Sequence, residues 1–401
     1  MKIGIYIPGL GQSFQQESVL KYATRLMNEY RYNSTGTRYE LKSEKIQFAD
    51  HCESDVVSIV EKKGDTEEVL YKFYEFSYGK ILTESFNSKN ILLKNSQLFL
   101  MMVKKFPVLL KRLAMPGGFN RPFQTFYLFT IFFLLAGAIL CMIPASIGVI
   151  TQLVNGKEFT QLVPHYSWIM TLSKYTAING QALKKILDSF VSITALLLLV
   201  VPGANIILIA LATEFVCADG YLEFGAKRQR ILGALDQLLE YIAENDRGAR
   251  VDFHAYSFGS LIAIDYIFPF GMEPVHNVKE LTDSLITIGT PVEFVKAYYP
   301  GYYTNRNYVM EDKIRWVNVY SVSDALASNF RKDATIGEAV YGIRDKGLIP
   351  QNRNYEVVPV KRVNFLNFIS LYSVRAHGMY WDPSTDGQSC LQIVYEEVGR
   401  K

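Results

Sequence analysis

The stretch "RVDFHAYSFGSLIAIDYIF", Arg250–Phe268, sets one serine, Ser257, between two segments of different period. The part before it alternates and then turns apolar, as a buried strand does, and the part after it has apolar positions suited to a helix packed on a sheet. A chain that turns sharply from strand to helix presses the neighbours of the turning residue together, so that only small side chains fit there. Ala255 and Gly259 supply them. The arrangement predicts an α/β layer structure with a serine raised at the carboxyl end of a strand.

Composition sets the outer limits. The chain has 401 residues, a formal charge of +3, 49% hydrophobic residues and 13% aromatics. It can bury a sizeable core, and it lacks the strong basic excess of a nucleic-acid binder. Four cysteines, Cys52, Cys141, Cys217 and Cys390, form no C-x-x-C pair, which argues against a disulfide framework or a zinc ribbon. The start, "MKIGIYIPGLGQSF", enters a strand at once and shows no signal-peptide pattern.

Two stretches carry no charge at all: Phe123–Gly156 and Ser189–Thr213. Each exceeds the ~20 residues that span a ~30 Å hydrocarbon core as a helix. Pro144 and Pro202 fall inside them, where membrane helices tolerate proline. A pair of spans returns the chain to its starting side, so the flanking parts can build one domain. Lys104, Lys105, Lys111, Arg112 and Arg121 precede the first stretch, and Lys227, Arg228 and Arg230 follow the second. The loop between holds Lys157, Lys174, Lys184 and Lys185. That excess puts the domain on the cytoplasmic side. Just before the first stretch, residues 91–122 mix apolar runs with paired basic residues; they read either as a helix along the membrane surface or as one packed on the domain.

The remainder alternates strands and helices. Strands are expected at "KIGIYIPG", "YELKSEKIQF", "DVVSIVEK", "VLYKFYEFSYG", "DSLITIGTP", "IRWVNVYSVSD" and "YEVVPVKRVNF", besides the one before Ser257. Helices are expected at "QESVLKYATRLMNEY" and "KRQRILGALDQLLEYIAEN". This order favours a mainly parallel sheet with flanking helices. The expected organisation is a first part of the α/β domain at 1–90, a membrane-proximal segment at 91–122, a transmembrane hairpin at 123–213 and a second part of the domain at 214–401.

A serine hydroxyl needs a histidine to take its proton and a carboxylate to hold that histidine. Of the five histidines, His51, His165, His254, His276 and His377, the last lies in "RAHGMYWD" after the final expected strand and is the best base. Asp324 in "VYSVSDALASNF" sits where an apolar strand ends, the edge at which open α/β sheets place their chemistry. Ser257, Asp324 and His377 thus follow in the order Ser, Asp, His. "AYSFGS" resembles the nucleophile elbow of lipases and esterases of the α/β-hydrolase superfamily, "IPGLGQSF" resembles that family's oxyanion loop, "ITIGTP" its strand end after the elbow helix, and "SDALAS" its acid turn. The resemblance covers about residues 1–85 and 215–401, and Ala255 stands where the family has its first elbow glycine. It implies Ser257 as nucleophile, His377 as base, Asp324 as its orienting acid, and the amides of Leu10 and Phe258 as oxyanion hole, with no cofactor.

Other motifs carry less. Phe14 stands at the third glycine position of a nucleotide loop in "PGLGQSF", "FADHCESD" reads as a solvated turn without a second metal-ligand cluster, and the tyrosines of "KAYYPGYYTNRNY" suit either a membrane rim or ordinary packing. The expected function is a membrane-anchored serine hydrolase acting on a lipid or acyl ester. A catalytically inactive interaction or signalling module on the same fold is the alternative, and a transporter is a distant third, because the two uncharged stretches hold no ionisable residue to line a path.

Overall fold

Strand alternation divides the interior in two. In β1 (Lys2–Ile7), Ile3, Ile5 and Ile7 enter one apolar core and Tyr6 enters the other, on the opposite face of the sheet. The same alternation separates Phe253 and Ala255 from Tyr256, and Leu285 from Ile286, as the two-residue period of a strand requires. The structure, a computed structural model, describes residues 1–10, 18–34, 36–64, 66–89, 91–115, 123, 125–131, 133, 215–223, 225–356, 372–381 and 384–399.

Among these residues an eight-stranded sheet has the order β2-β3-β4-β1-β5-β6-β7-β8. Its members after β1 are β2 (Arg38–Ala49), β3 (Cys52–Lys63), β4 (Thr66–Glu75), β5 (Val251–Tyr256), β6 (Thr282–Ile288), β7 (Arg315–Tyr320) and β8 (Gln351–Asn354). β2, β3 and β4 form an antiparallel meander, whereas β4-β1-β5-β6-β7-β8 is parallel throughout. The mainly parallel α/β reading therefore holds. "FADHCESD" makes the hairpin turn between β2 and β3, with His51 at φ 61°. The last strand differs from expectation: β8 lies upstream, Tyr355 and Glu356 follow it as coil, and the rest of "YEVVPVKRVNF" lies outside the described residues.

Helices cover both faces. α1 (Val19–Asn33) packs on one side, and its first amide, Val19 N–H, donates to the buried Glu75 carboxyl at the end of β4 at 2.8 Å. On the other side lie α2 (Gly79–Asn87), α3 (Ile91–Ala114), α4 (Ala226–Asn245) and α5 (Phe258–Ile267). The short α6 (His276–Leu281) precedes β6, and α7 (Val292–Tyr298) follows it. Residues 91–114 are thus one helix packed on the domain. Of the first uncharged stretch, only part of 123–133 belongs to the described residues; the second stretch and the loop between them lie outside. Among the described residues no helix is long and apolar enough to cross a membrane.

One buried polar chain runs under the sheet. Tyr22 bonds His254 Nδ1 at 2.6 Å, and Tyr71 lies 2.9 Å from Nε2 while donating to Asp252 at 2.5 Å. Because the Tyr71 hydroxyl donates to Asp252, its oxygen accepts from Nε2–H, and Nδ1 accepts from Tyr22. Burial, helped by the charge of Lys2, pushes His254 down from 6.5 to about 3. Between those values the unfolded chain binds a proton that the folded chain refuses, so native stability falls on acidification, by up to ~1.4 kcal/mol per pH unit. His254→Gln removes this dependence. The difference in melting temperature between wild type and variant should therefore shrink as the pH drops from 6.5 toward 3; a difference that stays constant would show that His254 is not held neutral.

Candidate active site

β5 ends at Tyr256, and Ser257 then adopts φ 51° and ψ −124°. An L-residue rarely enters that region, and holding it there costs on the order of 1–3 kcal/mol. Neighbouring bonds fix the turn. Ser257 N–H donates to Ile288 O of β6 at 2.8 Å, and the Ser260 hydroxyl donates to Ser257 O at 2.5 Å. Gly259 is required for a separate reason: a Cβ there would stand 2.4 Å from both Ile7 O and Pro8 O. The start of α5 thus rests directly on the end of β1.

The carboxyl end of β7 and a short helix beyond β8 bring up the partners. After β7 the chain turns through Ser321 to Asp324, whose side chain is fully buried. His377 comes from the one-turn helix Ala376–Gly378. Its Nδ1 lies 2.7 Å from Asp324 Oδ2, and its Nε2 lies 2.5 Å from Ser257 Oγ. Asp324 accepts at Nδ1–H, which leaves Nε2 to accept the serine proton. Leu326 N–H binds the other carboxylate oxygen at 2.8 Å. Gly289, at φ 59°, makes room for the ring, since a Cβ there would meet His377 Cε1 at 3.3 Å and the Tyr380 ring at 2.9 Å. All three residues named from sequence come together in this geometry.

Sequence reasoning missed two tyrosines. Tyr380, three residues after the histidine in "RAHGMYWD", donates to Asp324 Oδ2 at 3.0 Å and accepts from Ser321 N–H at 3.0 Å. Burial, with Asp324 beside it, keeps this phenol well above its ordinary range, so it remains a donor. Tyr256 stacks on His377 and donates to its carbonyl at 2.5 Å. No local pattern pointed to either, because their partners lie far off in the chain.

An apolar pocket of about 90 Å³ opens onto Ser257 and His377. Leu10, Phe258, Leu261, Phe294, Val295 and Leu326 line it, together with Phe215, Ala218 and Leu222 from the helical residues 215–222. Phe258 is the first residue of α5, so its amide has no acceptor within the helix and lies at the positive end of the helix dipole. Leu10 reaches the same pocket, and the rest of the glycine loop, residues 11–17, lies outside the described residues. Tyr299 also lines the pocket, whereas Tyr298, Tyr302 and Tyr303 are buried in the core, which makes most of that tyrosine run packing. Among the described residues no cluster of His, Cys, Asp and Glu could hold a metal ion.

Behind the pocket wall, Glu293 accepts from Asn329 N–H at 3.2 Å and is hydrogen-bonded by Tyr341. Burial pushes its carboxyl up from 4.5 to about 7. The folded state keeps a proton that the unfolded chain has released, so this group lowers stability as the pH rises from 4.5 through about 7. Its slope opposes that of His254 where the two windows overlap.

No protein-family model, curated protein or solved structure matches the chain. Tyr380→Phe keeps the ring and removes one donor from a buried carboxylate, a loss of about 1.5–3 kcal/mol for a bond to a charged group. A carboxylate short of one donor accepts more strongly from the imidazolium. The expected outcome is an acid limb moved to higher pH in the rate at which Ser257 reacts with a fluorophosphonate. A lower rate with an unmoved pH profile would assign Tyr380 to packing alone.

Proposed function

We propose that the chain is a membrane-anchored serine hydrolase of lipase or esterase type, resembling the α/β-hydrolase superfamily, that cleaves a lipid or acyl ester. The observation that carries this reading is the continuous line of hydrogen bonds from Ser257 Oγ through His377 to Asp324, at 2.5 and 2.7 Å, on a strained strand-to-helix turn.

The chemistry follows from that line. Ser257 Oγ attacks the acyl carbonyl while His377 Nε2 takes its proton, and Asp324 stabilises the imidazolium through Nδ1. Negative charge develops on the carbonyl oxygen, where the Phe258 and Leu10 amides act as donors; such donors contribute on the order of 3–4 kcal/mol each. His377 then gives the proton to the departing alcohol or thiol oxygen or sulfur, and the acyl-enzyme remains. Water, deprotonated by the same imidazole, releases the acid and restores Ser257. No cofactor takes part in these steps. The alternative of an inactive module has less support, because Ser257 and His377 both line a pocket that is open among the described residues.

The membrane reading rests on the two uncharged stretches, 123–156 and 189–213, and on their ends. The Phe129 ring lies 5.5 Å from the Phe215 ring, so the chain departs and returns at one place. Phe215 also lines the pocket. That proximity favours an ester already dissolved in the bilayer, with the domain on the side of its basic flanks, the cytoplasmic one.

Detergent-solubilised protein should take a fluorophosphonate label, and Ser257→Ala and His377→Ala should each abolish it. A folded wild type that remains unlabelled, with and without added lipid, would overturn the hydrolase reading.

A further inference from the structure

α3 is apolar on two opposite faces. Leu98, Met101, Met102 and Leu109 are buried in the core. Leu93, Leu100, Val103, Phe106 and Leu110 are exposed, between 44% and 65%. At about 100° per residue these five fall within one sector roughly 140° wide, turned away from the buried set. An apolar stripe of this extent on the outside of a domain marks a contact surface.

Charge says what the contact is. α3 contains Lys94, Lys104, Lys105, Lys111 and Arg112 and no acidic residue. Lys105 turns inward to Asp219 at 2.9 Å, while Lys104, 2.6 Å from Glu223, and Lys111 border the exposed stripe. Apolar residues flanked by lysines suit the boundary between acyl chains and anionic headgroups. The helix also packs against the start of the first uncharged stretch: Phe99 stacks on Phe133 at 5.1 Å, and Phe106 lies 6.5 Å from Phe126. Met115, just after the helix, and Phe123, the first residue of the stretch, are exposed as well.

We infer that α3 lies in the surface of the bilayer, its outer stripe in the acyl boundary and its lysines at the headgroups, and so seats the pocket wall on the membrane. This rests on the membrane-anchored reading above and is independent of hydrolysis. The seat connects to the site through two bonds. Arg112 Nε donates to Ala297 O of α7 at 2.8 Å, and Lys105 stands 3.8 Å over the ring of Tyr299, which lines the pocket. Contact with lipid on one side of α3 therefore bears on the elements that form the pocket on the other.

The test places the photoreactive p-benzoylphenylalanine at Leu100, at Phe106 or, as a control, at the exposed Tyr32 of α1, in the full chain reconstituted into vesicles containing anionic phospholipid. Illumination and mass spectrometry should give phospholipid adducts at 100 and 106 and none at 32. Resistance of the chain to carbonate extraction is measured on the same vesicles. A chain that resists extraction but gives no lipid adduct at 100 or 106, or gives adducts to a second copy of itself, overturns the inference alone. A chain stripped off by carbonate overturns the membrane-anchored reading and this inference with it.

Discussion

The contact on which the rest of the site depends is the seating of α5 on the end of β1, where Gly259 touches the carbonyls of Ile7 and Pro8. With nothing larger than hydrogen at that position, the helix begins close enough to the sheet to force Ser257 into its unusual backbone angles. The strain is of the order of 1–3 kcal/mol. It is offset by bonds that the turn alone allows, to Ile288 O and from Ser260, and by a helix wholly buried against its neighbours. Serine placement is thus a result of packing between two backbones. The histidine and the carboxylate then need only reach a point already fixed.

Their reach is fixed by rigid parts. β6 and β7 are interior strands, and the loops that leave them cross-link: Ser328 N–H donates to Thr290 O at 2.8 Å, and Glu293 N–H donates to the Ser328 hydroxyl at 2.8 Å. Asp324 is held from three directions, by His377, Tyr380 and the Leu326 amide. A side chain so bound loses little further freedom when charge forms beside it, which is the condition for electrostatic stabilisation without reorganisation.

Much of this was legible in the sequence, for identifiable reasons. Strands such as "KIGIYI" and "VDFHAY" are short, apolar and bounded by turn residues, and they alternate with helices of clear period. The three site residues were legible because each sits at the carboxyl end of a strand or in a late loop, and because few histidines compete. β8 was not legible: "QNRN" is polar, and it joins the sheet by backbone pairing with β7 and by the Asn318–Asn352 side-chain bond at 3.0 Å, which no hydropathy pattern records. Tyr380 escaped for a similar reason, since a buried phenol shows its partner only once the chain is folded. The sheet order was also beyond the sequence, because nothing local says that β1 will lie between β4 and β5.

That central place of β1 has a consequence for how the molecule is made. One edge of β1 pairs with β4, within the first 75 residues, but its other edge pairs with β5, over half the chain's length away. A growing chain therefore carries an unsatisfied parallel edge, with Ile3, Ile5 and Ile7 lacking most of their core, until residues beyond 250 emerge. Contacts between such distant segments form slowly and leave sticky intermediates exposed. Both uncharged stretches are synthesised within that interval. Ser257, the first residue after β5, has its turn fixed only when β5 lies beside β1 and Ile288 O accepts its N–H. Asp324 and His377 lie further along the chain, so the surroundings of Ser257 are completed only after its own strand has been made.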